Sequence, residues 1–288
     1  MIVTVPLRAA FGVAATLSVA CMATEVRADD ASPWQQDTHS AVRLLAGSRS
    51  GAVLLGGIAF QLQDGWKTYW RTPGDSGVPP RIDFSKSDNI DSVKILWPVP
   101  MKFPDGAGGI SFGYHNQLLL PLRIIAKSPD KPVTLRASIS YAVCEKICIP
   151  VEANAELAFV SVASTEDSAI AAALETVPKP AKIGDATPIA IRGVRRDGKL
   201  VLVDVALDEK NATHKDKEVQ LFAEGPTPDW ALPVPKLIQR EADGVLRFAF
   251  ELEGLPPGAT ADGAILKLTV AGPGGAYEVN AAVPPKTD

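Results

Sequence analysis

The chain has 288 residues, room for one large or two ordinary domains, with 46% hydrophobic and 22% charged side chains and a formal charge of −4. No basic block stands out, which argues against nucleic acid as a partner. Beyond the N-terminus no apolar run approaches the roughly 20 residues a membrane helix needs, so no span is expected in the mature chain.

The N-terminus itself reads as an export signal. Arg8 precedes an apolar stretch from Ala9 to Ala20 and a polar segment ending Val26-Arg27-Ala28. A basic start, a short apolar run and small residues before a cut describe a secretory signal peptide, here residues 1–28. Losing Arg8, Glu25 and Arg27 with it removes a net +1 and brings the charge to about −5. A rival reading makes Cys21 a lipidated N-terminus after Leu17-Ser18-Val19-Ala20, although Ser18 fits poorly three positions before the cysteine. With the signal removed, Cys144 and Cys148 remain, in a compartment where disulfides persist.

Downstream, short apolar or alternating runs recur between Gly, Pro, Asp and Asn: Val42–Ala46, Val53–Leu62, Val93–Trp97, Leu118–Ala126, Val133–Val143 and Ala155–Val162. That spacing predicts an all-β sandwich over about 30–163. Thr165 to Thr176 predicts a short helix with Ile170 and Leu174 on one side, and Pro178-Lys179-Pro180 ends it in a linker, 164–184. Strand-like runs resume at Pro188–Arg192, Leu200–Leu207, Glu218–Ala223, Val245–Leu252, Ile265–Val270 and Tyr277–Val283, a second β domain over 185–286. Asp197-Gly198 marks a hairpin between the first two.

The segment that carries chemistry is Tyr141-Ala142-Val143-Cys144-Glu145-Lys146-Ile147-Cys148-Ile149-Pro150-Val151. Along one extended strand, four steps of about 3.3 Å would hold the two Cα atoms roughly 13 Å apart. A disulfide needs about 4.4–6.8 Å. The chain must reverse at Glu145-Lys146-Ile147 as a three-residue hairpin loop or coil through a helical turn. Strand-like flanks and Pro150 favour the hairpin. Closing a loop of about five residues gains only about 2 kcal/mol in the chain-entropy model, so stapling is a weak reason for the pair. Three readings stand on the residues alone: a structural bond, an exchangeable bond, or metal binding without a nearby His to complete the ligand set. Lys146 lowers a neighbouring thiol's pKa while Glu145 raises it, so thiolate character is not readable.

The segment C-E-K-I-C-I-P-V-E, after a strand ending at Tyr141, resembles the periplasmic N-terminal domain of the thiol:disulfide interchange protein DsbD, closest to its ScsB-like branch. Gly65-Trp66-Lys67-Thr68-Tyr69-Trp70-Arg71 and Phe112-Gly113-Tyr114-His115-Asn116 before Leu118-Leu119-Leu120-Pro121-Leu122 add to the likeness, which covers about 35–162. The resemblance implies an immunoglobulin-like sandwich, hence two immunoglobulin-like β domains joined by the helix and Pro-rich linker. It implies electron transfer from a membrane donor to periplasmic thioredoxin-fold proteins. It makes Cys148 the cysteine that forms mixed disulfides and Cys144 the one that resolves them. An aromatic cap loop is implied near Phe112, with Tyr69 beside the pair. The relatives carry a transmembrane electron channel and a thioredoxin-like domain that are not found before Asp288, so the donor is expected to be a separately encoded membrane protein. No cofactor is expected.

Rival functions are a periplasmic adaptor with a structural disulfide and copper handling through two soft thiolates. Trp66, Tyr69 and Trp70 are read either as a partner surface or as core aromatics. His39, His115 and His214 are scattered, with no metal-ligand spacing. Gly106-Ala107-Gly108-Gly109 reads as a loop rather than a nucleotide fingerprint.

Overall fold

The computed structural model describes Met1 and residues 29–106, 108–160, 162–208, 219–241 and 244–286. Residues 2–28 of the expected signal peptide, with Cys21, and His214 lie outside the described residues. Among the described residues the architecture is all-β apart from one short helix.

The first sandwich is built from β1 (Gln35–Gln36), β2 (Ser40–Ser50), β3 (Val53–Leu62), β4 (Lys67–Gly74), β5 (Arg81–Asp83), β6 (Ile90–Ile95), β7 (Met101–Pro104), β8 (Ile110–His115), β9 (Gln117–Ala126), β10 (Val133–Cys144) and β11 (Cys148–Phe159). One sheet runs β1-β2-β3-β9-β6; the other runs β11-β10-β4-β8-β7, with β5 on the edge of β10. Alternation explains the burial. On β11, Val151, Ala153, Ala155, Leu157 and Phe159 turn inward while Glu152, Asn154 and Glu156 face out, as a pleat with one wet face requires. The two sheets share a core that includes Leu44, Ile58, Leu120, Leu122, Leu135 and Ile139. A buried pair of hydroxyls, Ser40 Oγ and Tyr141 Oη at 2.8 Å, ties β2 to β10 across it.

Helix α1 (Asp167–Leu174) is shorter than the Thr165–Thr176 expected and buries Ile170. β12 (Lys179–Ala181) follows, so Pro178-Lys179-Pro180 does more than link: residues 179–181 pair in parallel with β19 (Gly275–Ala282). An edge position is where a sheet tolerates Pro180, whose nitrogen cannot donate. The second sandwich comprises β13 (Ile189–Asp197), β14 (Leu200–Leu207), β15 (Gln220–Glu224), β16 (Lys236–Arg240), β17 (Leu246–Glu251) and β18 (Ile265–Gly272), with β12 and β19. Its sheets run β12-β19-β18-β15 and β13-β14-β17-β16 around Val203, Phe248, Phe250, Leu268 and Val279.

The sandwiches meet through β4 and β8 on one side and β15 and β19 on the other. Phe222 of β15 is fully buried and belongs to the first sandwich's core cluster, with its ring 5.4 Å from Trp70 and 4.9 Å from Phe112 in edge-on geometry. Arg71 reaches across to two carboxylates, Glu224 and Glu278.

The expected strands over 53–62 and 200–207 coincide with β3 and β14, and the one over 133–143 is extended by Cys144. β4, β7 and β8 had no counterpart among the expected strands. In β4 the ladder with β8 breaks between Tyr69 and Gly74, so its side-chain pattern does not alternate cleanly.

Candidate redox site

The longest ladder of the first sandwich ends at the cysteines. β10 and β11 pair in unbroken register from Val133–Phe159 to Cys144–Cys148, and the chain reverses through Glu145, Lys146 and Ile147. The reversal brings the two Cα atoms to 4.2 Å and the sulfurs into a disulfide. The hairpin, not the helical turn, is the geometry that joins them.

The two cysteines differ in access. Cys144 is 2% exposed, packed with Tyr69 and Ala142 on the inner side of the hairpin. Cys148 is exposed, as are Glu145, Lys146 and Ile147, the last at 68%. Of the two bonded residues, Cys148 is therefore the one open to solvent and Cys144 the buried one.

Tyr69 supplies the polar contact to the pair. Its hydroxyl lies 3.0 Å from Cys144 Sγ and 3.2 Å from Cys148 Sγ, donating to sulfur. Burial raises the phenol's pKa, and the negative charge of Asp105 raises it further, so the hydroxyl remains a donor across the physiological range. A donor aimed at two sulfurs favours a charged thiolate over a neutral disulfide, because hydrogen bonds to ionised acceptors are the stronger kind.

Local geometry sets that tyrosine. Lys67 and Thr68 pair with β10 opposite Cys144 and Val143, and Thr68 Oγ1 donates to Ala142 O at 2.9 Å. On the other side Tyr69 stands opposite Gly113, where a Cβ would come within 2.0 Å of Thr68 O; only glycine permits so close an approach. The loop after β4 lies on the ring itself: a Cβ on Gly77 would meet Tyr69 Cε1 at 2.5 Å. Asp75 fixes that loop to the β7–β8 hairpin, donating from its N–H to Ile110 O and accepting from Ile110 N–H, both at 2.9 Å.

The other aromatic candidates have different surroundings. Phe112, placed by resemblance near a cap, is 3% exposed, and its recorded ring contacts are with Trp70 and Phe222 at the seam between the sandwiches. It is the one β8 residue opposite the irregular stretch of β4, which turns its ring toward the second sandwich. Trp70 is a core residue at 1% exposure. Trp66 is half-buried and stacks on His39 at 3.8 Å between ring centroids, near the cysteine loop: Gly65, beside it, sits under the Glu145 carboxylate. Residues sequence reasoning missed are Asp75 and Gly77, which hold Tyr69, and Glu224 and Glu278, which hold Arg71. No local pattern announces them: Glu224 and Glu278 act on a side chain far along the chain, and Asp75 and Gly77 act through the folding of the loop after β4. Among the described residues no group of three or more His, Cys, Asp or Glu is arranged to hold a metal ion.

Residues 39–159 match the family described as thiol:disulfide interchange protein DsbD, N-terminal. The crystal structure of the N-terminal periplasmic domain of ScsB from Proteus mirabilis superposes with a TM-score of 0.69 at 21% identity, over 89% of this chain and 99% of that one. It therefore shares the fold of both sandwiches. The N-terminal domain of DsbD from Neisseria meningitidis, in its reduced form, aligns at 16% identity over 42% of this chain and 86% of its own, with a TM-score of 0.28. No curated protein matches the sequence. The sandwich that carries the cysteine hairpin is thus the part of this chain that matches the DsbD N-terminal family, over residues 39–159.

Proposed function

We propose that this chain is a periplasmic thiol–disulfide oxidoreductase that passes electrons from a membrane donor, encoded separately, to thioredoxin-fold partners through Cys144 and Cys148. The observation that carries this reading is the unequal exposure of two bonded cysteines, one open at a hairpin tip and one buried, with a phenolic hydroxyl within reach of both sulfurs. Among the described residues no helix is long and apolar enough to cross a membrane.

The chemistry runs as two displacements. In the reduced protein Cys148 loses its proton and its thiolate attacks one sulfur of a partner disulfide. A Cys148–partner bond forms, the partner's own disulfide breaks, and its second sulfur leaves as a thiolate that takes up a proton. Cys144 then loses its proton and attacks the Cys148 sulfur. The mixed disulfide breaks, the partner's remaining sulfur leaves and is protonated, and Cys144–Cys148 is oxidised. Two electrons and two protons have moved to the partner. The Tyr69 hydroxyl stabilises whichever sulfur of the pair carries charge. Tyr69 also packs on the inner cysteine, Cys144, and so shields it from solvent.

Trapping decides the matter. Reduced Cys144→Ser, mixed with an oxidised thioredoxin-fold protein, should accumulate a mixed disulfide on non-reducing gels, and Cys148→Ser should not. The opposite pattern reverses the two roles. Absence of any mixed disulfide, together with a reduction potential below about −300 mV, would leave the bond a structural one.

A further inference from the structure

β4 serves two sites with consecutive residues. Through Tyr69 it keeps register with β8, and there it reaches the sulfurs. From Trp70 it leaves that register and rejoins at Gly74, so residues 70–73 stand opposite Phe112 alone. This irregular stretch faces the second sandwich. Arg71 donates from Nε to Glu224 Oε1 at 2.8 Å and from Nη2 to Glu224 Oε2 at 2.7 Å, a two-pronged pair, and again from Nη2 to Glu278 Oε2 at 2.8 Å. Thr72 Oγ1 donates to Glu224 Oε1 at 2.8 Å. Trp70, between them and Tyr69, is wedged against Phe112 and Phe222.

We propose that Arg71, gripped by Glu224 and Glu278 of the second sandwich, is a positioning residue for the cysteine pair: the second sandwich sets where Tyr69 holds its hydroxyl over the sulfurs, and so how readily the Cys144–Cys148 bond is reduced. The inference rests on the site as described above and gives the second sandwich a task in it. A planar guanidinium matched to a carboxylate at two points fixes direction as well as distance. Glu224 is 11% exposed on its side chain, which leaves the grip little slack. Only one peptide step separates Trp70 from Tyr69, so a shift of the gripped segment is passed to the tyrosine. From the other side the Gly77 backbone bars the ring from moving away to compensate. Because the hydroxyl favours the charged, reduced form, loosening the grip should make the bond harder to reduce.

The clamp can be removed without emptying a core. It is bordered by clefts of about 250 and 470 Å³, and the Arg71 side chain is 22% exposed. The test is the equilibrium constant of Cys144–Cys148 with dithiothreitol, read by thiol alkylation, for wild type, Tyr69→Phe, Arg71→Met, Glu224→Gln and the double variant Tyr69→Phe/Arg71→Met. Arg71→Met and Glu224→Gln should each shift the equilibrium toward the disulfide by about three- to tenfold, in the direction of Tyr69→Phe. Arg71→Lys should recover part of the shift, since an ammonium cannot span both oxygens of Glu224. The double variant should be no more shifted than Tyr69→Phe alone, the non-additivity that marks one pathway. Arg71→Met and Glu224→Gln within about twofold of wild type, or additive effects in the double variant, would overturn the proposal. Should Arg71→Met fail to fold, Glu278→Gln, which weakens the grip on Arg71 and the longer pair with Lys267 but leaves Glu224 in place, takes its place with the same expected direction. Dithiothreitol reduces an inert bond as well as an exchangeable one. A failure here therefore differs from a failure of exchange, which the trapping experiment alone reads.

Discussion

The two ends of β4 use polar groups in opposite ways. At the cysteine end, Tyr69 offers one hydroxyl to a pair of sulfurs, one of which opens to solvent, and the loop of Glu145, Lys146 and Ile147 packs on little. At the seam, every charge in the Arg71 cluster has a partner and three aromatic rings interlock edge to face. A bond that must be broken and remade is held where its breaking disturbs few contacts. The contacts that hold the molecule together lie a few residues further along the same strand. Changes at the tip should therefore alter chemistry with little effect on stability, whereas changes at the seam should cost stability and reach the chemistry only through Tyr69.

The largest expected effect tests the seam. Trp70→Ala removes a fully buried ring from between Phe112 and Phe222 and should cost about 3–5 kcal/mol in urea unfolding. Phe222→Ala should cost a similar amount, and the two together less than their sum, because they share one cavity. A loss under about 1 kcal/mol for either would mean that the seam does not hold the sandwiches together.

Gly77→Ala probes the boundary between the two regions. Gly77 has φ +125°, where an L side chain is strained, and the new methyl would strike the Tyr69 ring. We expect a loss of about 1–3 kcal/mol, with a faster reaction of Cys148 with an alkylating agent in the reduced protein if the ring is pushed off the pair. Unchanged stability would show that the loop yields instead.

Alkaline pH should act on both regions at once. Burial raises the pKa of Tyr69, Tyr114 and Tyr141 above the ordinary value of 10.0, Tyr114 the furthest. With folded pKa values above the unfolded one, the stability tied to the neutral phenols is complete below pH 10 and falls as the pH climbs past it. Thermal unfolding followed from pH 8 to 11 should show a falling midpoint above pH 10. Tyr114→Phe, which loses the hydroxyl that donates to Pro98 O, should fall less steeply.

Much of the tip and little of the seam was legible in the sequence. Two cysteines four positions apart between strand-like runs can bond only if the chain reverses or coils, and the strand-like flanks with Pro150 favour a hairpin. β10 is legible because its inward positions repeat every second residue, whereas the run expected over 155–162 caught only the second half of β11, which begins at Cys148. β4 was not legible, because its ladder breaks after Tyr69 and its residues serve two neighbours. Arg71 and its carboxylate partner Glu224 lie 153 positions apart, and nothing near Arg71 marks it as paired rather than solvated. Phe112 was placed near the cysteines by resemblance to relatives. Its ring meets Phe222, a residue of the second sandwich, 110 positions along the chain, to which that resemblance did not extend.

The smallest expected effect bears on the tip. Ile147 is 68% exposed, between two charged neighbours and the outer cysteine, and an apolar side chain so placed buries little area on folding. Ile147→Ser should therefore change stability by no more than about 0.5 kcal/mol, and the disulfide should form as before, since β10 and β11 fix the register of the cysteines without it. If the partner docks over Cys148, however, it covers Ile147, and the substitution removes apolar contact from that encounter. The mixed disulfide trapped with Cys144→Ser should then form more slowly in the Ile147→Ser background, while the reaction of Cys148 with a small alkylating agent keeps its rate. A drop in stability above about 1 kcal/mol would instead show that the tip packs against its own sandwich, and the separation of chemistry from stability along β4 would fail at the point where it is expected to be cleanest.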